Sequence, residues 1–296
     1  MTKPDTAMSQ ESPEAVIAGL INRARAAMTA FDNTNQDAID DAVTALAWSI
    51  YKPENARRLA ELAVESTGLG NADDKVIKNQ RKTFGTLRDL MRVKTTGVIE
   101  DLPELGLVKY AKPIGVVAAI TPSTNPSATP VNKAMMALKG GNAVIIAPSP
   151  AGYAATVATV EGMRAELAKV GAPLDLVQIV PAPVDRERTK VLMKEADLIV
   201  CTGSQNNVRQ AYSSGTPAIG VGAGNVPVII DETADLTAAA QKITASKIFD
   251  NATSCSSENS VIIVDEVFDD AIGALQAAGG YMTSPAEGQR VVERLW

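Results

Sequence analysis

The sequence predicts a doubly wound, mostly parallel α/β sheet, preceded by helices and followed by the start of a second α/β domain. Three observations carry this expectation. Short continuous runs of Val, Ile and Ala recur through the middle of the chain, as strands buried on both faces require. Helical stretches separate most of those runs, which is the alternation that builds parallel sheets. The first ninety residues carry helical spacing without such runs. At 296 residues the chain has room for about two domains of roughly 150 residues each. The expected boundary lies between residues 233 and 234.

The elements follow in order. Ser12 and Pro13 open a helix: the hydroxyl caps it, and a proline in the first turn gives up no bond. Ile39, Ala42, Val43, Leu46 and Ile50 keep the spacing of one buried helix face. Pro53 restarts a helix that runs to about Thr67. Gly68 and Gly70 offer the left-handed positions that end it. A further helix is expected from Ala72 to Arg92, and its run of Lys75, Lys78, Arg81 and Lys82 reads as a solvated face. Thr95–Glu100 and Leu107–Lys112, around Asp101-Leu102-Pro103, predict a β-hairpin. Strands are then expected at Ile114–Thr121, Ala143–Ala147, Leu176–Val180, Leu198–Thr202, Pro217–Val221, Val226–Asp231 and Val261–Val264. Helices are expected near 127–139, 151–170, 186–195, 204–213 and 234–249. Glu287 to Trp296 reads as a helix with apolar Val291, Val292, Leu295 and Trp296.

Composition removes whole classes of chemistry. The chain has no histidine and two cysteines, Cys201 and Cys255. A Ser-His-Asp triad, a Cys-His pair and a His-ligated zinc site are therefore impossible, and no metal site is expected. Catalysis must use cysteine, lysine, carboxylates, hydroxyls, amides or a cofactor. Lys+Arg is 28 against Asp+Glu 34, a net charge of −6, which argues against a nucleic-acid partner. Residues Met1 to Glu14 are polar, without the apolar core of a signal peptide. Stretches such as Ile114 to Ile120 are too short to span a bilayer. A soluble, cytoplasmic chain with no membrane partner is expected.

Three strand ends carry notable residues. Thr121-Pro122-Ser123-Thr124-Asn125-Pro126 follows the first long strand. Pro126 holds Asn125 extended, so its amide either donates to a developing oxyanion or caps the next helix. Thr202-Gly203-Ser204 is either an approach for a phosphate to helix N–H groups or a plain βα turn. Cys255, in the polar loop Phe249–Asn259, is either a nucleophile or a partly buried thiol. Cys201 lies in an apolar run and reads as a small core residue. Gly220-Val221-Gly222-Ala223-Gly224 looks like a dinucleotide fingerprint, but a strand-like run follows it instead of a helix. Its glycines read as a loop that allows close backbone approach.

Taken in this order, the segments resemble the aldehyde dehydrogenase superfamily over all but about the first dozen residues. The matching pieces are Pro113-Ile114-Gly115-Val116-Val117, Asn125-Pro126, Ala137-Leu138-Lys139-Gly140-Gly141-Asn142, Thr202-Gly203-Ser204 and the loop around Cys255. The resemblance implies a Rossmann-like NAD(P)-binding domain with the cofactor near Thr121, Pro122, Ser123, Thr124, Pro148, Ser149, Thr202, Gly203, Ser204, Gly222 and Gly224. It implies that Cys255 is the nucleophile, with Asn125 and the Cys255 N–H as the oxyanion site. The hairpin near 95–111 resembles the family's oligomerisation hairpin, which implies a homo-oligomer, dimer or tetramer.

Two departures point to one branch. Val221 falls where hydrolytic members carry the glutamate that activates water, and Ala147 precedes Pro148-Ser149 where a lysine is usual. Both resemble the CoA-acylating branch, and Asn251–Asn259 looks most like its members that act on sulfoacetaldehyde. The implied reaction oxidises an aldehyde with NAD(P)+ and CoA to an acyl-CoA through a thioester on Cys255. For a sulfonate, Thr253, Ser254, Ser256 and Ser257 offer hydroxyls; Glu258 reads as structural. An acid-forming enzyme and an inactive nucleotide-binding fragment are the alternatives. Members of the family continue beyond the position of Trp296, so the catalytic domain is expected to be represented only by about 234–296. The chain alone is expected to bind cofactor weakly and turn over poorly.

Overall fold

The computed structural model describes residues 11–32 and 34–295. The chain divides into two compact units, Met1–Ala223 and Gly224–Trp296. The first begins with helices α1 (Pro13–Phe31), α2 (Gln36–Tyr51), α3 (Pro53–Thr67) and α4 (Ala72–Leu90). Ser12 caps α1 by accepting from Ala15 N at 3.2 Å, with Pro13 in the first turn. Gly68 ends α3 at φ 68°, a conformation that costs glycine little. The antiparallel hairpin β1 (Gly97–Leu102) and β2 (Leu107–Ala111) follows, turning through a 3-10 segment at Pro103–Leu105.

The doubly wound part is β3 (Val116–Ile120), α5 (Ala128–Lys139), β4 (Ala143–Ala147), α6 (Tyr153–Lys169), β5 (Val177–Ile179), α7 (Arg186–Glu195), β6 (Leu198–Thr202), α8 (Gln205–Tyr212) and β7 (Ala218–Val221). All four pairings in the five-stranded sheet are parallel, in the order β5-β4-β3-β6-β7. Every residue of β3 and β4 is buried, as continuous apolar runs require. β6 alternates buried with half-buried residues, and β7 sits at the edge with Ile219 and Val221 exposed. The sheet core continues into α1 and α2 through Ile17, Leu20, Leu46 and Ile50.

The second unit is a parallel βα pair with later helices: β8 (Pro227–Ile230), α9 (Leu236–Ile248), β9 (Ser260–Ile263), α10 (Phe268–Ala277) and α11 (Pro285–Leu295). β8 and β9 align from Pro227 against Ser260 to Ile230 against Ile263. The expected terminal helix is present as α11, while Trp296 lies outside the described residues. α10 had no sequence expectation. No described helix is long and apolar enough to cross a membrane.

One expectation is overturned. The run Lys75, Lys78, Arg81, Lys82 is not a solvated face throughout: Lys75 and Lys78 are buried at 3% and 1% exposure, and only Arg81 and Lys82 are exposed. α4 packs on α2, α3 and α5, so the side of the helix carrying Lys75 and Lys78 turns inward. Their long stems let an ammonium reach buried acceptors.

Candidate active site

The chain enters the sheet at β3, winds outward to β4 and β5, then crosses back to β6 and on to β7. The reversal places a topological switch point between the carboxyl ends of β3 and β6, where open α/β sheets bind ligands. Thr121–Asn125 leave the end of β3, Pro148 and Ser149 leave β4, Thr202 ends β6 before Gly203 and Ser204, and Gly222 follows β7. The parallel sheet therefore brings all of these to one edge of the first unit. Gly224 and Cys255 belong to the second unit.

The corner carrying Asn125 has its backbone tied down. Ile120 O accepts from Lys133 Nζ at 2.6 Å, and Thr124 O accepts from Lys75 Nζ at 3.0 Å. Asn125 O accepts from Thr129 N at 3.3 Å, and Pro126 O accepts from Thr156 Oγ1 at 2.9 Å. The Asn125 amide, by contrast, makes one long contact among the described residues, Nδ2 to Thr124 Oγ1 at 3.4 Å. The N-cap position of α5 belongs to Ser127, not Asn125, and α5 has no side-chain cap bond. A fixed backbone with an uncommitted amide is a preorganised donor, because no reorganisation is needed when charge develops.

Several neighbouring groups are already used in holding the fold. Ser204 Oγ caps α8 by accepting from Asn207 N at 3.3 Å, and Gly203 N donates to Val221 O at 3.2 Å. Ser149 Oγ accepts from Gly152 N at 3.1 Å. Close approach is enforced at Gly222, where a Cβ would come within 2.8 Å of the Gln205 side chain. Sequence reasoning missed Lys75 and Lys133. The available signal for Lys133 was a lysine inside an apolar helix face, beside Val131, Ala134 and Ala137.

In the second unit, Cys255 is exposed, whereas Cys201 in the first unit is a buried core thiol. Burial pushes the Cys201 thiol up, so it is a poor nucleophile. The Cys255 loop starts from a strained turn: Asp250, Asn251 and Ala252 take φ of 50°, 51° and 59°. Asn and Asp tolerate that region; alanine adopts it only under constraint. Thr253 N donates to Asp250 O at 3.1 Å, and Thr253 Oγ1 lies 2.7 Å from Asp250 Oδ2, which is fully buried. Val226 N and Asn259 Oδ1 bond at 2.9 Å and close the loop at its far end. Ser254 and Ser256 hydroxyls bond each other at 3.0 Å. The Ser257 hydroxyl and Glu258 Oε2 are buried without a hydrogen-bond partner among the described residues.

The first unit is thus a doubly wound parallel α/β sheet with a polar switch point, and a loop with an exposed cysteine follows it in the chain. Residues 3–284 match the aldehyde dehydrogenase family, and the chain belongs to that family. It is 53% identical over 288 residues to an acylating sulfoacetaldehyde dehydrogenase of Cupriavidus necator, covering 97% of this chain and 58% of that protein. It is 44% identical to an acetylating succinate-semialdehyde dehydrogenase of Clostridium kluyveri, covering 93% of this chain and 60% of that protein. The crystal structure of an acetylating aldehyde dehydrogenase from Geobacillus thermoglucosidasius superposes with a TM-score of 0.89 at 36% identity, covering 95% of this chain and 62% of that one. A Rhodopseudomonas palustris propionaldehyde dehydrogenase with bound CoA and an acylated cysteine superposes at 0.82 with 30% identity, covering 93% of this chain and 62% of that one. The chain thus spans about 60% of the length of these relatives.

Proposed function

We propose that the protein is a CoA-acylating aldehyde dehydrogenase that oxidises sulfoacetaldehyde to its acyl-CoA. One observation carries the reading: the exposed thiol lies in a backbone-fixed loop of a chain 53% identical to an acylating sulfoacetaldehyde dehydrogenase. Cys255 Sγ attacks the aldehyde carbonyl. The Asn125 amide and the Cys255 N–H stabilise the oxygen that gains charge. Thr121–Thr124, Pro148, Ser149 and Thr202–Ser204 hold NAD(P)+, with Gly222 and Gly224 allowing close backbone approach. The switch point suits such a group, since its strand-end loops are fixed by backbone hydrogen bonds at the edge where open α/β sheets bind ligands. When bound, that cofactor accepts the hydride. The acyl group held as a thioester on Cys255 then transfers to the CoA thiol, and the Cys255 thiolate leaves. Val221 cannot accept a proton, which leaves water without an activating carboxylate there. Of the four hydroxyls, those of Ser254 and Ser256, which bond each other, are assigned to the sulfonate; Thr253 is engaged by Asp250 and the Ser257 hydroxyl is buried. The protein acts in the cytoplasm as a homo-oligomer.

NAD(P)H formation from sulfoacetaldehyde and from acetaldehyde, with and without CoA, tests this. CoA-dependent turnover favouring sulfoacetaldehyde, slow in this chain alone, is expected, lost in C255S. N125A is expected to lower kcat by about 10²–10³-fold. Equal turnover of acetaldehyde defeats the substrate reading, and sustained turnover without CoA defeats the acylating one.

A further inference from the structure

Lys133 is a buried lysine at the switch point, with no ion pair to a carboxylate among the described residues. Its Nζ, carried by α5, lies 2.6 Å from Ile120 O and 2.7 Å from Val200 O. Ile120 is the last residue of β3 and Val200 the central residue of β6. These are the two strands that flank the switch point, paired from Val117–Leu198 to Ile120–Cys201. The residue is 5% exposed. A methionine would fill similar space without the cost of burying an amine. What the lysine adds is a pair of donors that span two strands.

We propose that Lys133 is a positioning residue, bracing β3 against β6 and so setting the gap between the Thr121–Asn125 and Thr202–Ser204 loops. The proposal rests on reading that gap as the dinucleotide site. Thr124 O is held separately by Lys75, so the corner is fixed from α4 as well as from α5. The brace responds to protonation. Burial pulls the Lys133 amine down to about 7, partly opposed by the Cys201 thiol of β6. Among the described residues, carboxylates on the helices packed around α5 are exposed, as Asp37, Asp41 and Glu161 are, or engaged elsewhere: Asp40 of α2 with Lys139, Glu166 of α6 with Lys52 and Lys169, and Asp73, Asp74 and Asp89 of α4 with Arg57, Asn71 and Arg88. The cations of α4, including buried Lys75 and Lys78, add no compensating negative charge. The neutral amine still has two N–H groups, so both carbonyls stay bonded, but without the charge that roughly doubles the strength of each bond. The brace is therefore tighter below neutrality than above it.

Amide hydrogen exchange tests this without relying on turnover. The reporters are Thr121 N, Thr129 N and Gly203 N, bonded to Ala147 O, Asn125 O and Val221 O. In Lys133→Met, these amides are expected to lose protection at least 10-fold, while those of Val144–Ile146 in β4 stay unchanged. Lys133→Arg is expected to restore protection in part. In the wild type, exchange corrected for its intrinsic pH dependence is expected to rise between pH 6 and 8, and to stay flat in Lys133→Met. Equal or uniform loss of protection across the sheet, or the same pH response in both proteins, overturns the proposal. If Lys133→Met does not fold, wild-type protein with 13Cε-labelled lysine decides: one lysine must titrate between pH 6 and 8 together with the reporter amides. Failure of NAD(P)+ to bind the wild type would defeat the dinucleotide reading and leave the exchange result to decide the bracing.

Discussion

The backbone of Gly224 lies against the carbonyl of Cys255 so closely that a methyl group on Gly224 would overlap the carbonyl oxygen and stand 3.1 Å from the carbonyl carbon. Backbone cannot swing aside as a side-chain tip can, so the loop carrying the thiol must shift if Gly224 gains a Cβ. Gly224→Ala is expected to lower kcat/KM by about 10–100-fold, since small misplacements of a reacting group are costly. Gly273, inside α10 with nothing within 4 Å of its virtual Cβ, is the control. Gly273→Ala is expected to leave kinetics unchanged and to stabilise by about 0.5–1 kcal/mol. Steady-state kinetics and thermal melts check both. Wild-type kcat/KM in Gly224→Ala would mean that the loop relaxes freely.

Thiol labelling separates the two cysteines. Cys255 is exposed and Cys201 is 0% exposed in β6. A chromogenic disulfide reagent is expected to modify one thiol per chain at once. The second should react about 10²-fold or more slowly, at the rate the sheet opens. Cys255→Ser should remove the fast phase and leave the slow one. Two fast equivalents would show that Cys201 is not a core residue.

Much of this was legible in the sequence because the responsible patterns are local. Continuous apolar runs marked β3 and β4, Ser12-Pro13 marked the start of α1, and Gly68 marked the end of α3. β3 and β5 came out shorter than expected, Val116–Ile120 against Ile114–Thr121 and Val177–Ile179 against Leu176–Val180. The carbonyls that Lys75 and Lys133 bind were not legible. A lysine's spacing says on which helix face it sits, but not that a strand-end carbonyl waits there. The strained run at Asp250–Ala252 was hidden for the same reason: nothing in those side chains requires positive φ, and surrounding structure imposes it.

The motif Pro113-Ile114-Gly115-Val116-Val117 has a steric cause. Gly115 takes φ 132°, and a Cβ there would overlap the Asp197 carboxylate. That carboxylate accepts from Val116 N at 2.7 Å and pairs with Arg25 at 3.0 Å. It thus fastens the start of β3 to the start of β6 and to α1. Gly115→Ala must distort this junction as well as take an unfavourable φ. A loss of about 2–4 kcal/mol is expected from strain plus weakened hydrogen bonds, read as a drop in denaturant midpoint. Asp197→Asn in the wild-type background should cost less, since an amide oxygen can still accept from Val116 N. A Gly115→Ala protein as stable as wild type would remove this account of the motif.

Acid should weaken the first unit through Glu166 and Asp197. Burial opposes ionisation of Glu166, but hydrogen bonds from Lys169 and Lys52 outweigh it and hold the carboxyl below its ordinary range. Asp197 is likewise opposed by burial and held down by Arg25 and the Val116 N–H. A carboxylate depressed in the folded state binds fewer protons there than in the unfolded chain. Its contribution is therefore complete above the ordinary carboxylate range, about pH 4 to 5, and is lost as pH falls through the lower folded values. Glu166→Gln keeps the shape but cannot balance the Lys52 ammonium, which lies over the Trp48 ring at 5.7 Å. At pH 7 it should cost on the order of 1–2 kcal/mol, because the Lys52 and Lys169 partners are partly solvated. At pH 3 the gap between mutant and wild type should shrink, since wild-type Glu166 is then losing its charge as well. Thermal midpoints of the two proteins from pH 3 to 7 check the sign: curves that converge toward acid support the pairing, and curves that stay parallel reject it.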